Sequence, residues 1–148
     1  MPKTSVISMR MEESQEERLE RMARRLGRSP SETSALLVEE GLRRSEFAFV
    51  DFRDTPVGRQ AFIQGTRLSV WMVVKIARLY ANDVEKTREH LARPPLQVQA
   101  ALNYAKEFPA EIEAAIKDNA AYDFTKLSNM LPNAEFFPAT AAAGKDKG

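Results

Sequence analysis

One short segment near the N-terminus constrains the fold of this 148-residue chain more than any other. Along residues 5–11 apolar and polar side chains alternate, which is typical of a strand with one apolar face. No second strand pattern follows before residue 47, so the backbone groups of this strand lack a partner within the chain. Pairing with the same strand of a second copy predicts a two-stranded ribbon, in a homodimer or a higher even oligomer. Its two faces are Ile7, Met9 and Met11, and Val6, Ser8 and Arg10.

Two helix patterns follow the strand. In residues 14–26 the apolar side chains recur at helical spacing, with Ser14 and Glu17 predicted as a capping box and Gly27 as the stop. Ser29 and Pro30 then supply an N-cap and a proline at the first position of a second helix. The free N–H groups at such a helix start bind phosphate readily. The apolar residues of the first helix are Leu19, Met22, Ala23 and Leu26.

Several short sequence motifs occur in order between residue 4 and residue 44. They are Met9-Arg10-Met11, Leu19-Glu20-Arg21-Met22-Ala23 and Gly27-Arg28-Ser29, followed by Ser34, Leu37, Val38 and Leu42. In this order the run resembles a ribbon-helix-helix domain of the Arc, CopG and MetJ kind. The resemblance implies that the ribbon enters the DNA major groove. It assigns base contacts to Val6, Ser8 and Arg10, and phosphate contacts to Arg28, Ser29 and Ser31.

The alternative is that residues 5–11 form an edge strand of a mixed domain. Charge does not separate the two hypotheses, because residues 3–46 hold nine basic and nine acidic side chains, whereas DNA-binding modules usually show a basic excess. The charges are nevertheless segregated. Acidic residues gather in residues 12–20, where a helix start favours them, and Arg21, Arg24, Arg25 and Arg28 follow within two turns.

Composition restricts the chain to a few classes. Its net charge of +1 gives no strong long-range steering, and the absence of cysteine excludes disulfides and thiolate zinc sites. No apolar run reaches membrane-spanning length, and no signal-peptide core precedes the strand, so a cytoplasmic protein without membrane contact is expected. We expect a DNA-binding and dimerisation domain over residues 1–46, a second domain over 47–120 and a partly disordered tail over 121–148.

The second domain is expected to combine a small β-hairpin with a helical bundle, which makes the whole chain mainly α. Strands are predicted over residues 47–52 and 60–64, with a turn at 55–58. Helices are predicted over 70–81, capped by Ser69, then to Leu91 from a capping box of Asn82 and Glu85, over 96–108, and from Pro109. The helix pair over 82–108 has helix-turn-helix proportions, although a plain helical hairpin is the alternative. Its outward side chains would be Gln97, Gln99, Asn103 and Lys106.

The phrases Phe62-Ile63-Gln64-Gly65-Thr66-Arg67-Leu68-Ser69-Val70 and Leu96-Gln97-Val98-Gln99-Ala100-Ala101-Leu102-Asn103-Tyr104-Ala105 occur in this second part. Together they resemble the family called domain of unknown function four-three-three, over about residues 49–116. That resemblance implies an antitoxin of VapB type, encoded beside a PIN-like ribonuclease toxin. From the residues alone, Gly65 and Thr66 predict a tight turn, and Arg67 could pair with a nearby carboxylate or carbonyl, or contact a partner.

Large apolar side chains without helical period are spread through the tail, which is typical of a segment that lies along another surface. That surface could belong to a toxin or to the chain's own second domain. The predicted partner-binding residues are Tyr122, Phe124, Leu127, Phe136 and Phe137.

The sequence does not favour an enzyme. His90 is the single histidine and lies in a charged helix, while Asp51 and Asp54 flank a turn, where such residues usually serve turn chemistry. We predict no catalytic residue, metal or cofactor. The combined hypothesis is a dimeric antitoxin that represses its own operon and neutralises a ribonuclease. The alternatives are a free-standing transcriptional or plasmid-copy regulator and a protein-interaction adaptor without DNA affinity.

Overall fold

The computed structural model describes residues 3–121, which form six helices and one two-stranded antiparallel sheet. The prediction of a mainly α protein with a small hairpin is therefore confirmed. The described residues divide into two compact units, with the boundary between Glu46 and Phe47. The elements are α1 (Glu13–Leu26), α2 (Pro30–Glu46), β1 (Val50–Thr55), β2 (Gly58–Ile63), α3 (Val70–Leu79), α4 (Val84–Leu91), α5 (Pro95–Glu107) and α6 (Pro109–Ala121).

The first unit consists of α1 and α2. The predicted capping box of Ser14 and Glu17 is wrong, because α1 begins earlier, with Glu12 as its N-cap. The Glu12 backbone N–H donates to the Gln15 side chain at 3.1 Å, so Gln15 satisfies a group that the helix itself leaves free. At the other end Gly27 has φ of 66°, a left-handed conformation that ends the helix as predicted.

The start of α2 matches the sequence prediction. The Ser29 hydroxyl accepts a hydrogen bond from the Glu32 N–H at 3.1 Å, and Pro30 occupies the first helical position. Thr33 is fully buried, and its hydroxyl donates to the Ser29 carbonyl at 2.9 Å. The α2 N-terminus is therefore fixed by its own side chains.

The second unit begins with the hairpin. Its strands pair from Val50 opposite Ile63 to Thr55 opposite Gly58, so the predicted turn is confirmed. The predicted first strand starts too early, because Phe49 adopts a left-handed φ of 61° that breaks the extended backbone. Phe47 instead packs into the core, with its ring 5.4 Å from that of Tyr104.

Helix α3 is the centre of the second unit and contacts β2, α4, α5 and α6. Tyr104 of α5 is fully buried beneath it in the same core, and its hydroxyl donates to the Glu111 carboxylate at 2.5 Å. That hydrogen bond satisfies the polar end of an otherwise apolar side chain. The buried core consists of Val50, Ala61, Ile63, Val70, Val73, Val74, Val98, Ala101, Tyr104 and Ile112.

The junction between α3 and α4 also differs from the sequence prediction, and α5 lies one residue earlier than predicted. Helix α3 ends at Leu79 rather than residue 81, since Ala81 and Asn82 both adopt left-handed backbone conformations. Asn82 therefore cannot cap α4 as predicted. Asp83 caps it instead, with its carboxylate accepting from the Lys86 N–H at 2.9 Å.

Candidate nucleic-acid interface

The predicted base-contacting residues lie on residues 3–12, which have no regular secondary structure in this single chain. Val6, Ser8 and Arg10 are all exposed, Val6 by 94%. Within residues 3–121, no backbone hydrogen bond joins residues 3–11 to any other part. A β-ladder needs a second strand, so the paired ribbon stays a prediction.

The apolar face predicted for this segment is also exposed. Ile7 is 89% accessible and Met9 61%, and on α2 Val38 and Leu42 are each 52% accessible. Met9 and Met11 line an open depression of about 570 Å³ against the apolar sides of α1 and α2. Its other apolar lining residues are Leu19, Met22 and Leu37. One chain thus leaves a continuous apolar surface uncovered.

Opposite charges flank this apolar surface. Arg10 and Arg18 line the depression just described, whereas Glu16, Glu20 and Ser31 line a second one of about 540 Å³. Both depressions include Met9, Met11 and Leu19. The apolar surface of the first unit is therefore flanked by basic residues on the Arg18 side of α1 and by acidic residues on the side where α2 begins.

This asymmetry bears on the predicted phosphate contacts. Ser29 already uses its hydroxyl to cap α2, whereas Ser31 makes no side-chain hydrogen bond among the described residues. Arg28 is exposed. Carboxylates of Glu16 and Glu20 near Ser31 would repel a phosphate bound there, so the helix start alone is a weaker anion site than the sequence predicts.

In the second unit, the turn at residues 65–67 has the predicted backbone role. Gly65 has φ of 74°, and the Thr66 hydroxyl donates to the Ile63 carbonyl at 2.8 Å and accepts from the Leu68 N–H at 3.0 Å. The cation that pairs with this turn is Arg53, which donates to the Thr66 carbonyl at 2.5 Å. Sequence reasoning assigned such a pairing to Arg67 and missed Arg53.

Register explains why Arg53 reaches the turn. Its guanidinium lies 4.8 Å from the ring centroid of Phe62 on the neighbouring strand, which orients the side chain along the hairpin. Arg67 is exposed and forms no ion pair or hydrogen bond through its side chain within residues 3–121. Only strand pairing brings Arg53 and residue 66 together, so no local pattern could have identified the contact.

Three of the four residues predicted on the outward face of α5 are exposed. Gln99 and Asn103 are exposed and hydrogen-bond to each other at 2.9 Å, and Lys106 is exposed. Gln97, however, is half-buried, and its side-chain oxygen is buried without a partner among the described residues, so its outward placement is wrong. It follows Pro95 by two residues, on the side of α5 that turns toward the core.

The histidine and aspartate side chains considered as candidate acids or bases each contact another residue of the fold. Nδ1 of His90 lies 2.8 Å from the Tyr80 hydroxyl on the surface, and Asp51 accepts from the Phe52 N–H at 2.8 Å. Asp54 forms an ion pair with Arg59 at 3.0 Å. Among residues 3–121 no group of histidine and carboxylate side chains is arranged to hold a metal ion, and no helix there is long and apolar enough to cross a membrane.

The predicted partner-binding residues Tyr122, Phe124, Leu127, Phe136 and Phe137 lie outside the described residues. Comparisons with protein-family models, curated proteins and solved structures found no match to this chain.

Proposed function

We propose that this chain is a homodimeric DNA-binding protein of the ribbon-helix-helix kind that represses its own operon and acts as the antitoxin to a PIN-like ribonuclease. The observation that carries the DNA-binding part is the uncovered apolar surface of the first unit. Among the described residues of the first unit, Ala23 is the one hydrophobic residue that is buried. Helices with so little buried apolar area do not stay folded alone.

A second copy supplies what the first unit lacks. Pairing residues 5–11 across a two-fold axis would satisfy their backbone groups and place Ile7, Met9 and Met11 over the apolar sides of α1 and α2. The opposite face of the ribbon would then present Val6, Ser8 and Arg10 twice. A two-stranded ribbon of this width fits the DNA major groove, and arginine recognises guanine through two parallel hydrogen bonds.

The test of DNA recognition uses the DNA immediately upstream of the gene. Arg10→Ala should weaken binding by about 1–3 kcal/mol and relax the base preference at one position in each half-site. Arg67→Ala, which removes an exposed arginine from the second unit, is the matched control. Equal affinity of the Arg10→Ala variant and the unchanged protein in a gel-shift titration would remove the ribbon from base readout.

The antitoxin part of the proposal rests on the resemblance of the second unit to the VapB-associated family. The Gly65-Thr66 turn that carries one half of that resemblance is well formed, and Arg67 extends from it to solvent. Tyr122, Phe124, Leu127, Phe136 and Phe137 would contact the toxin and cover its acidic active site. Aromatic residues of this kind often dominate protein interfaces.

Deleting residues 122–148 should separate DNA binding from inhibition of the toxin. The shortened chain should still bind DNA but should no longer inhibit a ribonuclease encoded beside the gene, measured by RNA cleavage at equal concentrations of both proteins. Full inhibition by the shortened chain would move the toxin contact elsewhere. The absence of any neighbouring nuclease gene would favour a free-standing transcriptional regulator.

A further inference from the structure

Helix α1 carries three parallel stripes of different character. Leu19, Met22 and Leu26 form the apolar stripe, and acidic residues lie on one side of it. At helical spacing, the other side carries Arg18, Arg21 and Arg25, which we call the arginine stripe. The acidic residues are Glu13, Glu16, Glu17 and Glu20. Apart from Arg24, which follows Glu20 by four residues and lies on the acidic side, the charges of α1 are segregated around the helix.

Contacts among the described residues do not account for two of the three arginines of the stripe. Arg18 and Arg21 are exposed, and their side chains form no ion pair or hydrogen bond among the described residues, even though Glu17 precedes Arg21 by four positions. Arg25 does interact within the chain. Like charges three or four residues apart repel each other on a helix, and an anion bound across the stripe would remove this repulsion.

The position of the arginine stripe beside Arg10 indicates that the anion it would bind is a DNA phosphate. Arg18 lines the same depression as Arg10, the residue at the predicted base-reading face, while Ser31 lies with Glu16 and Glu20 in the other depression. Phosphates of a duplex bound at Arg10 would therefore find cations on the Arg18 side and carboxylates on the Ser31 side. Guanidinium groups bind phosphate oxygens with two parallel hydrogen bonds.

We propose that the arginine stripe, on the side of α1 away from the acidic start of α2, forms a phosphate-binding surface for DNA strands that flank the bases read by the ribbon. The inference rests on the proposed DNA-binding function and adds its electrostatic footprint. Each phosphate neutralised by a cation releases a counterion, so the number of contacts can be measured from the salt dependence of binding.

The experiment measures DNA affinity of the full chain at several salt concentrations, with a duplex of the DNA upstream of its gene. In the Arg18→Gln/Arg21→Gln variant the dimer loses four arginines, so the slope of log affinity against log salt should fall by about 3.6, or about 0.9 for each lost phosphate contact. The control variant Lys75→Gln/Lys117→Gln removes the same charge from exposed positions of the second unit and should keep the original slope. Arg18→Lys/Arg21→Lys should retain most of it.

The outcomes distinguish this inference from the function on which it rests. If the unchanged protein binds no duplex, the proposed function fails. If it binds, but the Arg18→Gln/Arg21→Gln variant has the slope of the unchanged protein or of the control, the arginine stripe does not contact DNA. Glutamine maintains helix propensity at these exposed positions, and circular dichroism at each salt concentration checks the fold. Should that double variant unfold, Arg21→Gln alone removes two arginines from the dimer and should lower the slope by about 1.8.

Discussion

The two units of this chain differ most in how they treat apolar side chains. The second unit buries a contiguous core of valine, isoleucine, alanine and tyrosine side chains around α3. The first buries Ala23 and leaves Ile7, Met9, Val38 and Leu42 exposed. Both sequences contain strong helix signals, so the difference does not arise from local propensity. It shows that a helix pair without a third layer cannot bury its own apolar faces.

The comparison predicts that the two units depend differently on concentration. As separate polypeptides, residues 47–121 should be folded at any dilution, because their core is complete. Residues 1–46 should lose helicity on dilution, because folding requires a second copy. Circular dichroism over a concentration series, with sedimentation at each step, measures both. A folded monomer of residues 1–46 at micromolar concentration would remove the contrast and with it the ribbon.

Truncating one apolar side chain in each unit sharpens the same contrast. Ile63 is 1% exposed, so Ile63→Ala should lower the free energy of unfolding of the second unit by about 2–5 kcal/mol. Val38→Ala should weaken the association of two copies, so it should raise the protein concentration at which the first unit is half folded. Leu79 is 69% exposed, and Leu79→Ala should change denaturant stability by less than about 0.5 kcal/mol. A half-folding concentration equal to that of the unchanged protein would show that Val38 does not contribute to the contact between two copies.

Substitutions of Arg53 and Arg67 test which arginine stabilises the turn between the hairpin and α3. Arg53→Met removes the donor to the nearly buried Thr66 residue, so it should lower the free energy of unfolding by about 1–3 kcal/mol. Arg67→Met at the exposed position should leave stability unchanged, because that side chain has no contact to lose within the described residues. Equal losses for the two variants in urea titrations would mean that Arg67 also supports the turn.

The smallest effect is expected at the surface between α3 and α6. A hydrogen bond from Arg78 holds the pKa of Glu113 below its ordinary value of 4.5, and the charge of Arg78 adds to this. Because the folded pKa is lowered, the pair stabilises the fold above the ordinary pKa, and this contribution is lost as pH falls through the folded value. The pair is exposed, so the stability change is small. In Arg78→Gln the Glu113 pKa should rise towards 4.5 in an NMR titration, and an unchanged pKa would contradict the pairing.

The hairpin turn and the helix ends show how far local sequence reaches. Gly27, Ser29, Pro30 and Pro109 mark boundaries that the structure contains, because caps and proline act on the backbone of their own turn. The same reasoning placed the first cap at Ser14 instead of Glu12, since several polar residues there could each accept the free N–H groups. Local chemistry thus locates a helix better than it locates its first residue.

The sequence by itself determined that this chain is mainly helical, that a hairpin opens its second part, and that an alternating segment precedes two capped helices. These features depend on residues close together along the chain. Tertiary structure alone decided that Arg53, and not Arg67, supports the turn at Thr66. It also decided that Arg18 lies with Arg10 while Ser31 lies with Glu16 and Glu20. Such neighbours depend on how strands pair and helices pack, and these long-range contacts leave no periodic trace in the sequence.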